Sequence, residues 1–225
     1  LPIDPASYGN HRLHDSDRDW PETNCYVDVW IEVLQSLGLE PVAGLAFTLA
    51  VGFDGDQWEF FKFPDEDLRA LYGIEVREIN VWRPLHEHVQ LHLERGNLLT
   101  VEVDSWFLPD TAGVSYRLDH QKTTIVPQMI DHANERLGYF HNTGYFEVAG
   151  IDYRGAMRLD RHETSLAPYV ELVDLGAVTR RPEAALRTQA AGLVADYLGL
   201  RPRINPVAQL AARVAADEPW LRAHP

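Results

Sequence analysis

Apolar residues recur at helical spacing through Tyr26, Trp30, Val33, Leu34 and Leu37, which predicts a helix beginning near Cys25. Thr23 and Asn24 are both good N-cap types, Asp28 places an acid in the first turn, and Gly38 is a natural C-cap. After Pro41 a nearly all-apolar stretch runs to about Ala50 and reads as a central helix, because it has little polar face. Asp54-Gly55-Asp56 marks a turn, and the aromatic run 57–63 reads as a strand. Asp65 is placed to cap a short helix ending at Gly73, and 82–94 reads as another helix, closed by Gly96. The pattern changes at Asn97. Strands are predicted over 98–103, 123–130, 137–141 and 145–148, with turn residues Pro109, Asp110, Gly113 and Asn142-Thr143-Gly144 between them. Further on, 182–198 and 206–216 read as helices.

Helices, then a mostly antiparallel sheet, then a helical tail make an α+β layout. The expected division is a catalytic domain over 1–161 and a helical C-terminal extension over 162–225. The chain stops soon after an amphipathic helix, which suggests a longer protein.

Composition narrows the functional classes. A chain of 225 residues with 45% hydrophobic residues can build a sizeable core. Its formal net charge of -14 repels phosphate backbones, so nucleic acid is not an expected partner. The longest apolar run, 42–53, is too short for a bilayer, and no membrane partner is expected. Residues 1–8 show no basic region followed by an apolar stretch, hence no visible secretory signal. The single cysteine excludes an intrachain disulfide and a thiolate-rich zinc site, and a cytoplasmic setting fits best.

That cysteine holds the most informative position. A thiol in the first turn of a helix faces the positive end of the helix dipole and free backbone N–H groups, which favour the thiolate and can hold an oxyanion. The competing reading of Cys25 is a small buried hydrophobe. A base is also needed, and His120 stands just before the strand 123–130. Asn142 follows the next strand. If the two strands pair as an antiparallel hairpin, Asn142 would lie beside His120 and orient its ring. The plain alternatives are a surface loop histidine and a turn asparagine. His141 is a rival for the third place. Asp104, at the end of strand 98–103, is a second rival that could polarise a histidine or stabilise the loop 106–116. The Asn24 side chain could help hold the oxyanion. Trp20, Trp30 and Trp106 could line a groove beside Cys25, although core packing is the default for such rings.

The runs WPETNCYVDVWIEVLQSLGLEP, LLTVEVDSWFLPDTAGVSYRLDHQKTTIVPQMID and LGYFHNTGYFEV resemble a bacterial family of unknown function, some of whose members are encoded beside amino acid:carrier-protein ligases. That resemblance covers nearly the whole chain. Over roughly residues 20–150 the pattern is also similar to the N-terminal domain of the butirosin-biosynthesis acyltransferase. There a strand ending in Asp precedes an aromatic-Leu-Pro stretch, a tyrosine, a histidine opening the next strand, and an acid closing the one after. The resemblance implies a papain-like fold. It also implies transfer of an acyl group from the phosphopantetheine thioester of a carrier protein to a small amine or amino-acid-like acceptor. By match, Cys25 takes the nucleophile's place, His120 the base's, Asn142 a place usually held by an acid, and Asp104 and Tyr116 fall beside the substrate. Peptide or amide hydrolysis by the same residues, and a non-catalytic carrier-binding module, are the alternatives.

Other features add little. His88 and His92 stand four apart on a predicted helix, but lack a third ligand at suitable spacing and read as a solvated face. His11, His14, Asp15 and Asp17 read as a solvated loop. No glycine-rich phosphate loop and no Gly-x-Ser-x-Gly motif occurs, and neither cofactor nor metal is assigned. An acidic carrier would need a local basic patch, for which Arg69, Arg77, Arg83 and Lys122 are the candidates.

Overall fold

The computed structural model describes residues 3–15, 24–160 and 166–224. Its architecture is α+β. Strands β1 (Glu75–Glu78), β2 (Leu98–Asp104), β3 (Lys122–Asp131), β4 (Arg136–His141), β5 (Gly144–Ala149) and β6 (Val170–Asp174) form one antiparallel sheet in the order β1-β6-β2-β3-β4-β5. Helix α1 (Cys25–Ser36) lies against one face of the sheet. Helices α3 (Leu85–Glu94) and α4 (Ile151–Ala156) cover the other face.

The pleat decides which side chains meet which layer. In β2, Leu99, Val101 and Val103 enter the core shared with α3 and α4. Leu98, Thr100, Glu102 and Asp104 therefore share the α1 face. Helix α1 starts where Asn24 caps it, its side chain accepting from Val27 N at 2.9 Å. Residues from Tyr26 to Leu34 are all buried, Asp28 and Glu32 included. An apolar helix buried on this scale is fixed by tertiary packing more than by propensity.

Several sequence expectations need correction. The stretch Pro41–Ala50 is 3-10 helix rather than α-helix, and only Pro41, Gly44, Ala46 and Phe47 in it are buried. The aromatic run 57–63 forms no strand and contributes a single bridge, Phe53 to Trp58. Helix α3 begins at Leu85 because Pro84 stands at its N-cap. The boundary at 161 is misplaced. β6 pairs with both β1 and β2 inside the sheet, so the α+β unit extends to about residue 175.

Beyond it, α5 (Glu183–Leu200) docks against α2 (Asp65–Tyr72). Tyr197 donates to Asp67 Oδ2 at 2.8 Å, and Gln189 to the Ala70 carbonyl at 2.7 Å. The following helix, α6 (Pro206–Ala223), has no buried residue. The connection to α5 passes over Gly73, which has a φ of 73° and ends α2. A Cβ there would stand 2.2 Å from the Ala177 carbonyl oxygen. Left-handed strain and this clash act together, so Gly73→Ala is expected to cost about 2–5 kcal/mol. Urea unfolding checks this, with a change below about 1 kcal/mol counting against it.

Candidate active site

The loop from Ser105 to Gln121 leaves the end of β2 and returns to the start of β3. Asp104 and Lys122 are opposite one another in the ladder, and Ser105 N donates to the Gln121 carbonyl at 2.8 Å. The loop's two ends are thereby clamped together, which brings Asp104 to His120. His120 Nδ1 lies 2.7 Å from Asp104 Oδ2. A carboxylate accepts, so Nδ1 carries the hydrogen and Nε2 is left able to take a proton. The other carboxylate oxygen of Asp104 accepts from Trp106 N at 3.1 Å, and the Trp106 ring stacks on the imidazole with centroids 4.4 Å apart. The His120 side chain remains 65% exposed.

Two further anchors hold this loop. Asp110, within the loop, turns its side chain inward and accepts from Tyr139 and His141, each at 2.5 Å. His141 Nε2 is engaged by Thr123 Oγ1 at 2.7 Å, so both ring nitrogens are committed. Burial and then the Asp110 charge push the Tyr139 hydroxyl pKa upward, which keeps it a donor. On the other side Tyr116 donates to Asp152 Oδ2 at 3.0 Å, and Arg117 pairs with Asp152 Oδ1, tying the loop to α4.

The pair His120–Asp104 opens onto a cleft of about 290 Å³ lined also by Glu102, Lys122, Arg158 and Tyr169. Lys122 is held by Glu102 at 2.7 Å. Tyr169 leads inward: its hydroxyl donates to Glu171 Oε1 at 3.0 Å. Glu171 is buried and also accepts from Tyr26 (2.6 Å) and Thr100 (2.8 Å) through Oε2, with Lys62 Nζ 3.5 Å from Oε1. Burial and then the Glu171 charge raise Tyr169 to about 12 and push Tyr26 up as well, so both remain donors. Tyr26 follows Cys25. The tip of α1 and the cleft therefore share one face of the sheet, joined through Tyr26, Glu171 and Tyr169.

Residues 9–175 match the family described as DUF1839 N-terminal domain. The chain belongs to that family. No curated protein matches it. The matched segment contains every residue of the site above and ends one residue after β6, so the DUF1839 N-terminal domain coincides with the six-stranded unit.

Within this DUF1839 domain the expected site residues separate. Asp104 and His120 meet. Cys25 is half-buried as the first residue of α1, and helix geometry leaves its own amide and that of Tyr26 without intrahelical acceptors. Among the described residues no hydrogen bond joins Cys25 to His120, and Cys25 is not part of the cleft lining. Asn142 is not beside His120. It has φ 45° in the tight turn between β4 and β5, and the β3–β4 register continued to the turn sets it level with Thr124. His141 belongs to the Asp110 anchor. Asn24 is spent on the cap, with Nδ2 donating to the Phe61 carbonyl at 3.1 Å. Tyr116 points to α4 rather than to the cleft. Trp30 is fully buried core, and Trp20 lies outside the described residues.

The basic residues proposed for carrier docking are dispersed. Arg69 and Arg77 share a hollow with Asp65 and Glu75, Arg83 lies over the Trp82 ring ahead of α3, and Lys122 is at the cleft. His88 is buried rather than solvated, its Nε2 accepting from Trp82 N at 3.3 Å. Glu171, Tyr169 and Lys62 carry no signal in the sequence. Glu171 falls beyond the assumed domain end, and an isolated acid in VELVD looks like an ordinary outward strand residue. Among the described residues, no helix is long and apolar enough to cross a membrane.

Proposed function

We propose that this domain is a cysteine-dependent acyl-transfer enzyme, with Cys25 as nucleophile, His120 as base and Asp104 as the residue that orients His120. One observation carries the reading. An exposed imidazole, fixed by a carboxylate through Nδ1, opens onto a cleft on the sheet face that also receives the Cys25 end of α1. Such a ring leaves Nε2 as the acceptor, and in this proposal the proton it takes is that of the Cys25 thiol.

The chemistry balances as two exchanges. The Cys25 proton moves to His120 Nε2 while sulfur attacks the acyl carbon of a thioester, and the oxyanion takes the amides of the first turn of α1. The donor's carbon–sulfur bond breaks, and the departing thiolate receives the proton from His120. An amine then attacks acyl-Cys25, gives a proton to His120, and expels the Cys25 thiolate. A thioester donor suits a thiol nucleophile because the two sulfurs are leaving groups of similar basicity. The donor proposed is an acyl or aminoacyl group on a carrier protein's phosphopantetheine, by likeness of residue order to the butirosin-biosynthesis acyltransferase. Asp104 occupies the strand-end place noted in that likeness.

Incubation with a panel of acyl and aminoacyl phosphopantetheine thioesters is expected to add one acyl mass to the protein. The adduct should lie on Cys25 and disappear in Cys25→Ala. A folded protein that gives no adduct with any thioester contradicts the proposal. Adding an amine then separates transfer, which yields amide, from hydrolysis, which yields free acid.

A further inference from the structure

A second cavity, of about 520 Å³, lies where α5 meets the 3-10 segment Pro41–Ala50 and the end of α2, away from the His120 cleft. Its floor is apolar, formed by Leu39, Leu71, Ala43, Leu186 and Ala190. Its rim carries Arg12, Arg180, Arg181 and Arg187 against only Glu40 and Glu183. In a chain of net charge -14 this is a local excess of positive charge.

The arginines are not all neutralised by carboxylates. Arg187 pairs with Glu183 at 2.5 Å, and Arg12 approaches Glu40 at 3.8 Å. Arg180 and Arg181 bond only carbonyls among the described residues: Arg180 donates to Leu37 O at 2.7 Å, and Arg181 to Leu71 O and Ala70 O at 3.0 Å each. These bonds fix the guanidinium groups in place without cancelling their charge. Helix α5 also begins at the rim, with Pro182 at its N-cap and no side-chain cap bond, so its first-turn amides add positive potential.

From this we infer that the cavity between α5 and the six-stranded unit binds a small amphiphile, its anionic head held by the arginine rim and its apolar body on the floor. Arginine suits both carboxylate and phosphate heads through its forked donors. The volume matches a ligand of small-molecule size. Most of the rim lies beyond residue 175, so this site depends on the helical extension and not on the chemistry at Cys25.

Calorimetric titration of the full chain with octyl phosphate, octanoate and inorganic phosphate tests the inference. Octyl phosphate or octanoate should bind saturably at one site, and whichever binds tighter identifies the head group. Arg187→Glu should weaken that binding about tenfold or more, because it reverses a rim charge while disturbing only an exposed helical pair. Ala190→Trp fills the floor and should weaken it comparably with every arginine in place. Thermal melts of both variants show that they remain folded. The inference is overturned if neither amphiphile binds, if inorganic phosphate binds as tightly as octyl phosphate, or if binding survives both folded variants unchanged.

Discussion

Asp104→Asn should slow acylation of Cys25 by about 10²–10⁴-fold, while Asn142→Ala leaves the rate within about twofold. The asymmetry follows from geometry. Asp104 Oδ2 sits 2.7 Å from His120 Nδ1, whereas Asn142 serves the turn that joins β4 to β5. In the Asn variant, Oδ1 can still accept from Trp106 N, so the loop is retained. The amide nitrogen, however, donates where the carboxylate accepted. That favours the tautomer with hydrogen on Nε2, which cannot take the thiol proton. Single-turnover acylation followed by mass spectrometry reads the effect. An unchanged melting temperature, with the rate lost rather than substrate affinity, distinguishes tautomer control from loop collapse. A silent Asp104→Asn beside a damaging Asn142→Ala would overturn the assignment of Asp104.

Glu32→Ala is expected to destabilise the fold by about 3–5 kcal/mol, a large share of a domain's total stability. Glu32 is fully buried on α1 and serves three groups of the N-terminal segment. His14 Nδ1 is at 2.5 Å, Tyr8 donates its hydroxyl at 2.6 Å, and the His11 amide donates at 3.0 Å. Asp28, one turn earlier, lies 3.4 Å from His14 Nε2. Burial alone would lower the pKa of His14, but hydrogen bonds to Asp28 and Glu32, and their charges, more than reverse this and raise it to about 9. The ordinary value is 6.5. The folded state therefore holds this proton more tightly. The resulting stability, about 3 kcal/mol at most, is fully present below pH 6.5 and is lost as pH rises through about 9. Urea unfolding between pH 6 and 9.5 should show this fall in the natural chain and not in His14→Gln. Equal slopes in both proteins would mean that His14 is not held charged.

Helix α1 was legible because its cap residue and apolar periodicity agree with one another. Strands β2 to β5 were legible because their apolar runs are long and punctuated by turn residues. β1 was not, because Glu75–Glu78 is polar and exposed except at Val76, and it pairs with β6, a strand distant in sequence. The run 57–63 misled for the converse reason: β-prone aromatics without a neighbouring strand make no ladder. In the site, the rule that adjoining ends of antiparallel strands are neighbours holds for both pairs, Asp104 standing opposite Lys122 and His141 reaching Thr123. His120 stands ahead of β3, where the closed loop turns it to Asp104, while Asn142 falls level with Thr124 inside the strand. The His14 cluster looks like a solvated loop in the sequence, because nothing local signals that Glu32 and Asp28 face inward to receive it.

The pairing of Cys25 with His120 can be tested by bridging them with dibromoacetone, whose two reactive carbons flank a single carbonyl. One molecule of reagent should join Cys25 and His120 into one cross-linked peptide pair, with Cys25→Ala and His120→Ala each abolishing the link. Alkylation of Cys25 alone, with His120 left free in the intact folded protein, would show that thiol and imidazole do not meet and that the acyl-transfer proposal is wrong.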